Sequence, residues 1–250
     1  MNLMDYPIVI FGLCFLIMLV SVWIGDYVRR RKAAVIEDRD DHKTVLGATL
    51  TLLGLIIGFS FSMAISRYDL RKNYEEAEAN AIGTEYVRAD LAAPDSAAKI
   101  RAGLKKYVEA RLLFYNTRDP DRLAKINADT AALQNELWAA ARPKSAQPNP
   151  VDALVVSGMN DVLNSQGYTQ AAWWNRIPIE AWLLMGAIGI VSNLLIGYGA
   201  QQTKWSVFLV VPIAVSIAFF LIADIDSPVA GAIRVVPQNL VSLSRSLSSQ

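Results

Sequence analysis

VLGATLTLLGLIIGFSFSMAI, residues 45–65, runs without interruption into SRYDLRKNYEEAEANAIGTEYVRADL, residues 66–91. The first piece is uncharged and long enough to cross a bilayer, whose hydrocarbon layer of roughly 30 Å needs about 20 mostly apolar residues in a helix. The second piece is polar, and Gly83 is its only break in a stretch without proline. One helix is therefore expected to cross the membrane and continue out of it. Three further apolar runs lie outward from this one. Residues 6–25 (YPIVIFGLCFLIMLVSVWIG) are uncharged, residues 178–198 carry only Glu180, and residues 205–223 are uncharged and follow Lys204. Tyr6, Trp23, Tyr68, Trp173, Trp174, Trp182, Tyr198 and Trp205 stand near the ends of these runs, as in the interfacial belt of spanning helices. As core helices of a water-soluble protein, four such runs would need a polar shell far larger than this chain supplies.

The composition agrees. Apolar residues make up 53% and charged residues 19%, against about 45–50% and about 25% in soluble domains. The net charge of +1 gives no electrostatic reason to expect nucleic acid. Cys14 is the one cysteine, so no intrachain disulfide forms. His42 is the one histidine, so a His/Cys zinc site cannot be assembled within one chain. No Gly-x-Ser-x-Gly, Walker loop or His-Glu-x-x-His occurs. The sequence reads as non-enzymatic, without cofactor or metal.

The first run reads as a retained anchor. No Lys or Arg precedes it, while Arg29, Arg30, Arg31 and Lys32 follow it, which is not a secretory leader's pattern. The first loop, 26–45, carries six Lys/Arg in all, including Arg39 and Lys43. Arg67, Arg71, Lys72 and Arg176 flank the central segment, Lys204 stands alone in the third loop, and Arg234 and Arg245 lie in the tail. The summed bias is small, but the asymmetry across the first helix places the N-terminus outside. A multi-pass membrane protein is expected, with its central domain on the non-cytoplasmic side.

The expected organisation is all-α. A first transmembrane hairpin occupies 1–65 (spans 6–25 and 45–65), an extramembrane antiparallel helical bundle 66–176, a second hairpin 177–223 (spans 178–198 and 205–223), and a tail 224–250. Within the bundle, Pro94 ends the long helix and Asp95 caps the next, whose apolar face is Ile100, Leu104, Tyr107, Val108, Leu112 and Tyr115. Asp119-Pro120 opens another, where Leu123, Ile126, Thr130, Leu133 and Leu137 follow coiled-coil spacing. KSAQPNP (144–150) reads as a loop, and a helix from Val151 carries Leu154, Val155, Met159 and Val162.

Candidate sites concentrate on the second span. Gly47, Thr51, Gly54, Gly58 and Ser62 fall on one helix face. Small residues there allow close helix packing, or, with the hydroxyls of Thr51, Ser60 and Ser62, a lining for a pathway. Ile57, Phe61 and Ile65 recur every fourth residue, and rings of such side chains in an oligomer would form a hydrophobic constriction. The same stripe would equally suit lipid or a neighbouring helix. Asp224 and Asp226 close the fourth run, where pairing with Arg67 or Arg71 suits them better than metal binding, since two carboxylates are too few for a dedicated cation site. Asn193 is expected to bond between helices. Glu37, Asp38, Asp40, Asp41 and His42 lack the glycine and terminal glutamate of a calcium loop and read as a solvated loop.

Several stretches carry a family resemblance. GFSFSMA running into Arg67-Tyr68-Asp69, Glu78 to Thr84 (EANAIGT), Tyr107 to Arg111 (YVEAR), Asn175 to Pro178 (NRIP) and Asp224 to Pro228 (DIDSP), with Gly231 and Ile233-Arg234-Val235, resemble the bestrophin-like domain family of bacterial membrane proteins. The resemblance covers nearly the whole chain beyond the first span and implies two spans, a helical middle and two spans. Through the family it implies a distant likeness to bestrophins, pentameric anion channels, and Ile57, Phe61 and Ile65 look like their apolar neck. It thus implies a homo-oligomer in the lipid bilayer, with the second span lining a pore for small inorganic anions and Arg67, Arg71 and Lys72 as a positive vestibule. Bestrophins keep their helical domain in the cytosol, opposite to the charge-based orientation. The competing expectation is a non-transporting scaffold or sensor whose bundle binds a partner.

Overall fold

The computed structural model describes residues 6–31, 39–143, 149–200 and 205–249, and among these every regular element is helical. The helices are α1 (Pro7–Arg31), α2 (Arg39–Arg88), α3 (Pro94–Asn116), α4 (Pro120–Ala141), α5 (Pro150–Trp174), α6 (Ile179–Gly199), α7 (Trp205–Asp226) and α8 (Gln238–Ser248). A single 3-10 turn, Ala89–Leu91, extends α2. Four helical stretches are long and apolar enough to cross a membrane. At 1.5 Å per residue the 50 residues of α2 reach about 75 Å, more than twice the hydrocarbon thickness. The helix must therefore leave the bilayer, as the uninterrupted pattern of residues 45–91 predicts.

The chain divides into two compact units, residues 1–67 with 176–234 and residues 68–175 with 235–250. In the first, α1 packs against both α6 and α7. Two glycines set the crossing of α1 and α6. A Cβ on Gly25 would overlap the carbonyl oxygen of Leu194, and one on Gly197 would overlap that of Val22. Only glycine at both positions lets the backbones meet. At the end of α1, buried Asp26 accepts from Arg29 Nη2 at 2.6 Å and Arg30 Nε at 2.9 Å. In mid-span, Asn193 donates to Met18 Sδ at 3.2 Å, linking α6 to α1, and to the Gly189 carbonyl at 2.8 Å.

The second unit buries an apolar core that includes Ile82, Ile100, Leu104, Val108, Leu137 and Met159. Inside that core Arg111 and Glu78 are both fully buried and form an ion pair. Thr169 Oγ1 adds a donor to Glu78 Oε2 at 3.2 Å, and the guanidinium lies 4.3 Å from the Phe114 ring centre. Glu75 performs a different task. Its carboxylate accepts from the Leu240 amide at 2.9 Å and Asn239 Nδ2 at 2.7 Å, so it caps the first turn of α8, where Pro237 offers no side-chain cap.

Some local expectations are corrected. Pro94 is the first residue of α3, and Ala93 stands at its cap without a side-chain bond; Asp95 belongs to the first turn. Leu154 is exposed while Val155, Met159 and Val162 are buried, because Leu154 falls one residue off the α5 stripe. Phe114 and Arg111 join the buried face of α3, and Leu112 is only half-buried. Asp119 does cap α4, accepting from the Asp121 amide at 2.9 Å. Asp40, Asp41 and His42 lie in the opening turn of α2 rather than in a loop, where the acids favour the helix dipole. His42 also bonds the Leu195 carbonyl at 3.0 Å. The stretch 224–250, read as a tail, contains α8, with Leu240 and Leu247 buried. Lys32, Glu37, Asp38, residues 144–148 of the expected loop and Lys204 lie outside the described residues.

Candidate functional site

Residues 45–66 of α2 present three faces, each about a third of the circumference at 100° per residue. Leu53, Ser60 and Ala64 are buried and form the packed face. Leu52, Leu55, Phe59 and Met63 form a large apolar face left open, with Phe59 65% exposed. Gly47, Thr51, Gly54, Gly58 and Ser62 form the third face, also exposed. A Cβ added at Gly47, Gly54 or Gly58 would meet nothing within 4 Å among the described residues. Among the described residues the small face is therefore not where this helix packs, in contrast to Gly25 and Gly197.

Ile57 and Phe61 are half-buried and Ile65 is exposed. By helical rotation this stripe crosses from the packed face onto the small face, so Phe61 is supported on one side and open on the other. Thr51 Oγ1 donates to the Gly47 carbonyl at 2.8 Å, so its proton is already engaged and an acceptor lone pair faces outward. Further along α2, Arg67 is half-buried, Arg71 buried and Lys72 exposed. Of these three cations, Lys72 is the one most open to solvent.

The Asp-x-Asp-x-Pro sequence builds a backbone clamp. Asp224, buried, accepts from the Ala232 amide at 2.7 Å and the Ile233 amide at 2.9 Å. Asp226, also buried, accepts from the Ile177 amide at 3.2 Å, tying the chain two residues before α6 to the end of α7. Ser227 Oγ accepts from the Ala230 amide at 3.3 Å. Gly231 sits where a Cβ would strike the Asp224 and Ser227 carbonyl oxygens. These acids thus fold the chain back after α7. No group of three or more His, Cys, Asp or Glu side chains suited to a metal occurs among the described residues.

Five structural residues escaped the sequence reading. Gly25 and Gly197 are distant in sequence, and nothing in either stretch pairs them. Glu78 and Arg111 both fall in recognisable motifs, yet pattern alone does not pair them. Glu85 is buried against Gly158 of α5, whose missing side chain makes room for its carboxylate. Burial pushes its pKa up to about 7, with Arg88 opposing and Asp161 reinforcing the shift.

The sequence model of the bestrophin-like domain family matches residues 12–240. No curated protein matches the sequence. Solved structures similar in fold include crystal structures of a bacterial bestrophin homologue from Klebsiella pneumoniae. One variant of it, with isoleucine changed to threonine, aligns at a TM-score of 0.67 and 13% identity, covering 97% of this chain and 99% of that one. A leucine-to-threonine variant aligns at 0.64 and 14%, covering 97% and 98%. At such identity the likeness is one of fold. With the matched residues spanning all but the ends of the chain, this protein belongs to the bestrophin-like domain family.

Proposed function

We propose that the protein is a homo-oligomeric ion channel for small inorganic anions, with the membrane half of α2 lining the pore. The observation that carries this reading is the open small face of α2. Glycine and hydroxyl side chains exposed at membrane depth are of little use against lipid, and a Cβ added at Gly47, Gly54 or Gly58 would meet nothing within 4 Å among the described residues. Copies arranged about an axis would turn Thr51, Gly54, Gly58 and Ser62 towards a shared lumen. Phe61, with Ile57 and Ile65 on the same stripe, would form an apolar constriction that resists water until it widens. Arg67 and Lys72 would attract anions at the mouth, with buried Arg71 contributing its field from within. The family membership and the fold of the Klebsiella pneumoniae homologue support this reading.

The test is ion flux into liposomes carrying the purified protein. Phe61→Ala should raise anion flux several-fold by removing the constriction; no flux from the parent protein and none from the variant defeats the proposal. A monomer in native mass measurement also defeats it, since a central pore needs several copies. A second reading, a scaffold whose extramembrane unit binds a partner, draws on an open groove of about 650 Å³ lined by Asn80, Thr84, Asn239 and Ser242.

We place the central unit on the non-cytoplasmic side, following the charge asymmetry across α1. Labelling a single cysteine at exposed Asn73, in a Cys14→Ser background, with a membrane-impermeant thiol reagent on intact cells checks the side; protection from the reagent reverses the orientation.

A further inference from the structure

We infer that the groove between α1 and α7 is a docking site for one anionic phospholipid. Leu19, Val22, Trp23, Asp26, Tyr27 and Arg30 line one wall, spaced i, i+3, i+4, i+7, i+8 and i+11, a continuous helical stripe. Trp205 and Phe208 of α7 form the other wall, and the space between is about 250 Å³. Along about 16 Å of α1 the lining passes from aliphatic to aromatic to charged. A phospholipid presents the same order from acyl chain through glycerol to phosphate.

The aromatic and charged end is built rather than incidental. The Trp23 and Tyr27 rings stack with centroids 5.8 Å apart, and the Arg31 guanidinium carbon lies 4.6 Å from the Tyr27 centroid. Trp23 and Trp205 are 63% and 69% exposed, the placement of interfacial anchors that meet the glycerol region. Asp26 holds Arg29 and Arg30 in place, while the Arg30 side chain keeps 60% of its surface exposed.

Charge selects the headgroup. Asp26 offsets one of the three guanidinium groups at residues 29–31, leaving an excess of positive charge where the apolar run ends. Asp26 itself is buried beneath two guanidinium groups, so the aromatic surface offers no anion to a choline-type cation. An anionic headgroup is favoured over a zwitterionic one. The acyl chain would lie against Leu19, Val22 and Phe208, with the phosphate beside Tyr27, Arg30 and Arg31.

The experiment uses the full chain in nanodiscs of mixed phosphatidylglycerol and phosphatidylcholine, with retained lipid counted by native mass spectrometry after delipidation. The parent protein should keep phosphatidylglycerol selectively, and Arg30→Gln and Arg31→Gln should each lower that selectivity about fivefold. Trp23→Ala should weaken retention of both lipids. Arg245→Gln, a cation removed from α8, should change nothing. Equal retention of both lipids by the parent overturns the inference, as does selectivity that survives the double arginine variant. An equal loss with Arg245→Gln points to bulk charge and also overturns it. Displacement of the lipid by free inorganic phosphate would make this an anion site instead, against the proposal. Variants are compared only where circular dichroism shows unchanged helicity.

Discussion

Residues 45–66 of α2 leave three glycines open at the surface, whereas residues 75–85 of the same helix bury three glutamates. The contrast runs against simple expectation, since the apolar half exposes its smallest side chains and the polar half hides its charges. The polar half is completed within its own chain: Glu75 caps α8 and Glu78 pairs with Arg111. The membrane half has one packed face and two open ones. Its remaining partners must come from lipid, from a lumen or from another copy. A helix finished at one end and unfinished at the other is what a pore-lining element in an oligomer requires.

The largest expected effect lies in the finished half. Arg111→Met leaves Glu78 buried without its counter-charge, and such a change costs about 3–5 kcal/mol. Replacing both partners, Glu78→Leu with Arg111→Met, should recover most of that loss, because apolar substitutes for a buried pair are often tolerated. Chemical unfolding of the full chain in detergent checks both; a single-variant loss below about 1 kcal/mol would mean that the fold does not depend on the pair. The next effect belongs to the α1–α6 crossing. Gly197→Ala drives a methyl group into the Val22 carbonyl, and overpacking of this kind costs about 1–3 kcal/mol.

Much of this organisation was legible in the sequence, and the exceptions share a cause. Four spans, the continuity of α2 and the faces of α3 and α4 all follow from periodicity along a single helix. Pairings between helices do not. Glycine counts drew attention to α2, where the glycines are open, and away from Gly25 and Gly197, which meet backbone atoms of each other's helix directly. Helix α8 was missed because it is short and serine-rich, although Leu240, Leu243 and Leu247 keep i, i+3, i+7 spacing, with Leu240 and Leu247 buried and Leu243 half-buried. Asp224 and Asp226 accept from the backbone amides of Ala232, Ile233 and Ile177, bonds that leave no mark in a sequence.

Glu85 makes the finished half sensitive to pH. Its carboxyl holds its proton up to about pH 7 in the folded chain, against an ordinary value of 4.5. Below the lower value the group is protonated folded or unfolded, and nothing changes with pH. Between the two values the folded state binds the proton more tightly, so stability falls as pH rises, and the loss is complete above about 7. Arg88 on α2 and Asp161 on α5 are the charges that face it. Hydrogen exchange across α2 and α5 should therefore be slower at mildly acidic than at mildly alkaline pH once intrinsic rates are removed. Glu85→Gln should flatten that difference. An undiminished slope in the variant would assign the effect to another group.

The smallest effect on the fold is the most informative about the unfinished half. Gly58→Ala adds the same methyl group as Gly197→Ala, but into open space. Alanine is favoured over glycine within a helix by about 1 kcal/mol, so the isolated chain should be unharmed or slightly more stable. Any cost must then appear between copies or in the lumen. If the small face lines a pore, Gly58→Ala should alter flux while leaving the oligomer intact; if that face packs against a neighbouring copy, the oligomer itself should weaken. Native mass measurement beside liposome flux separates the two outcomes. A variant unchanged in both would return the small face to the lipid, because only there would an added methyl group have no consequence.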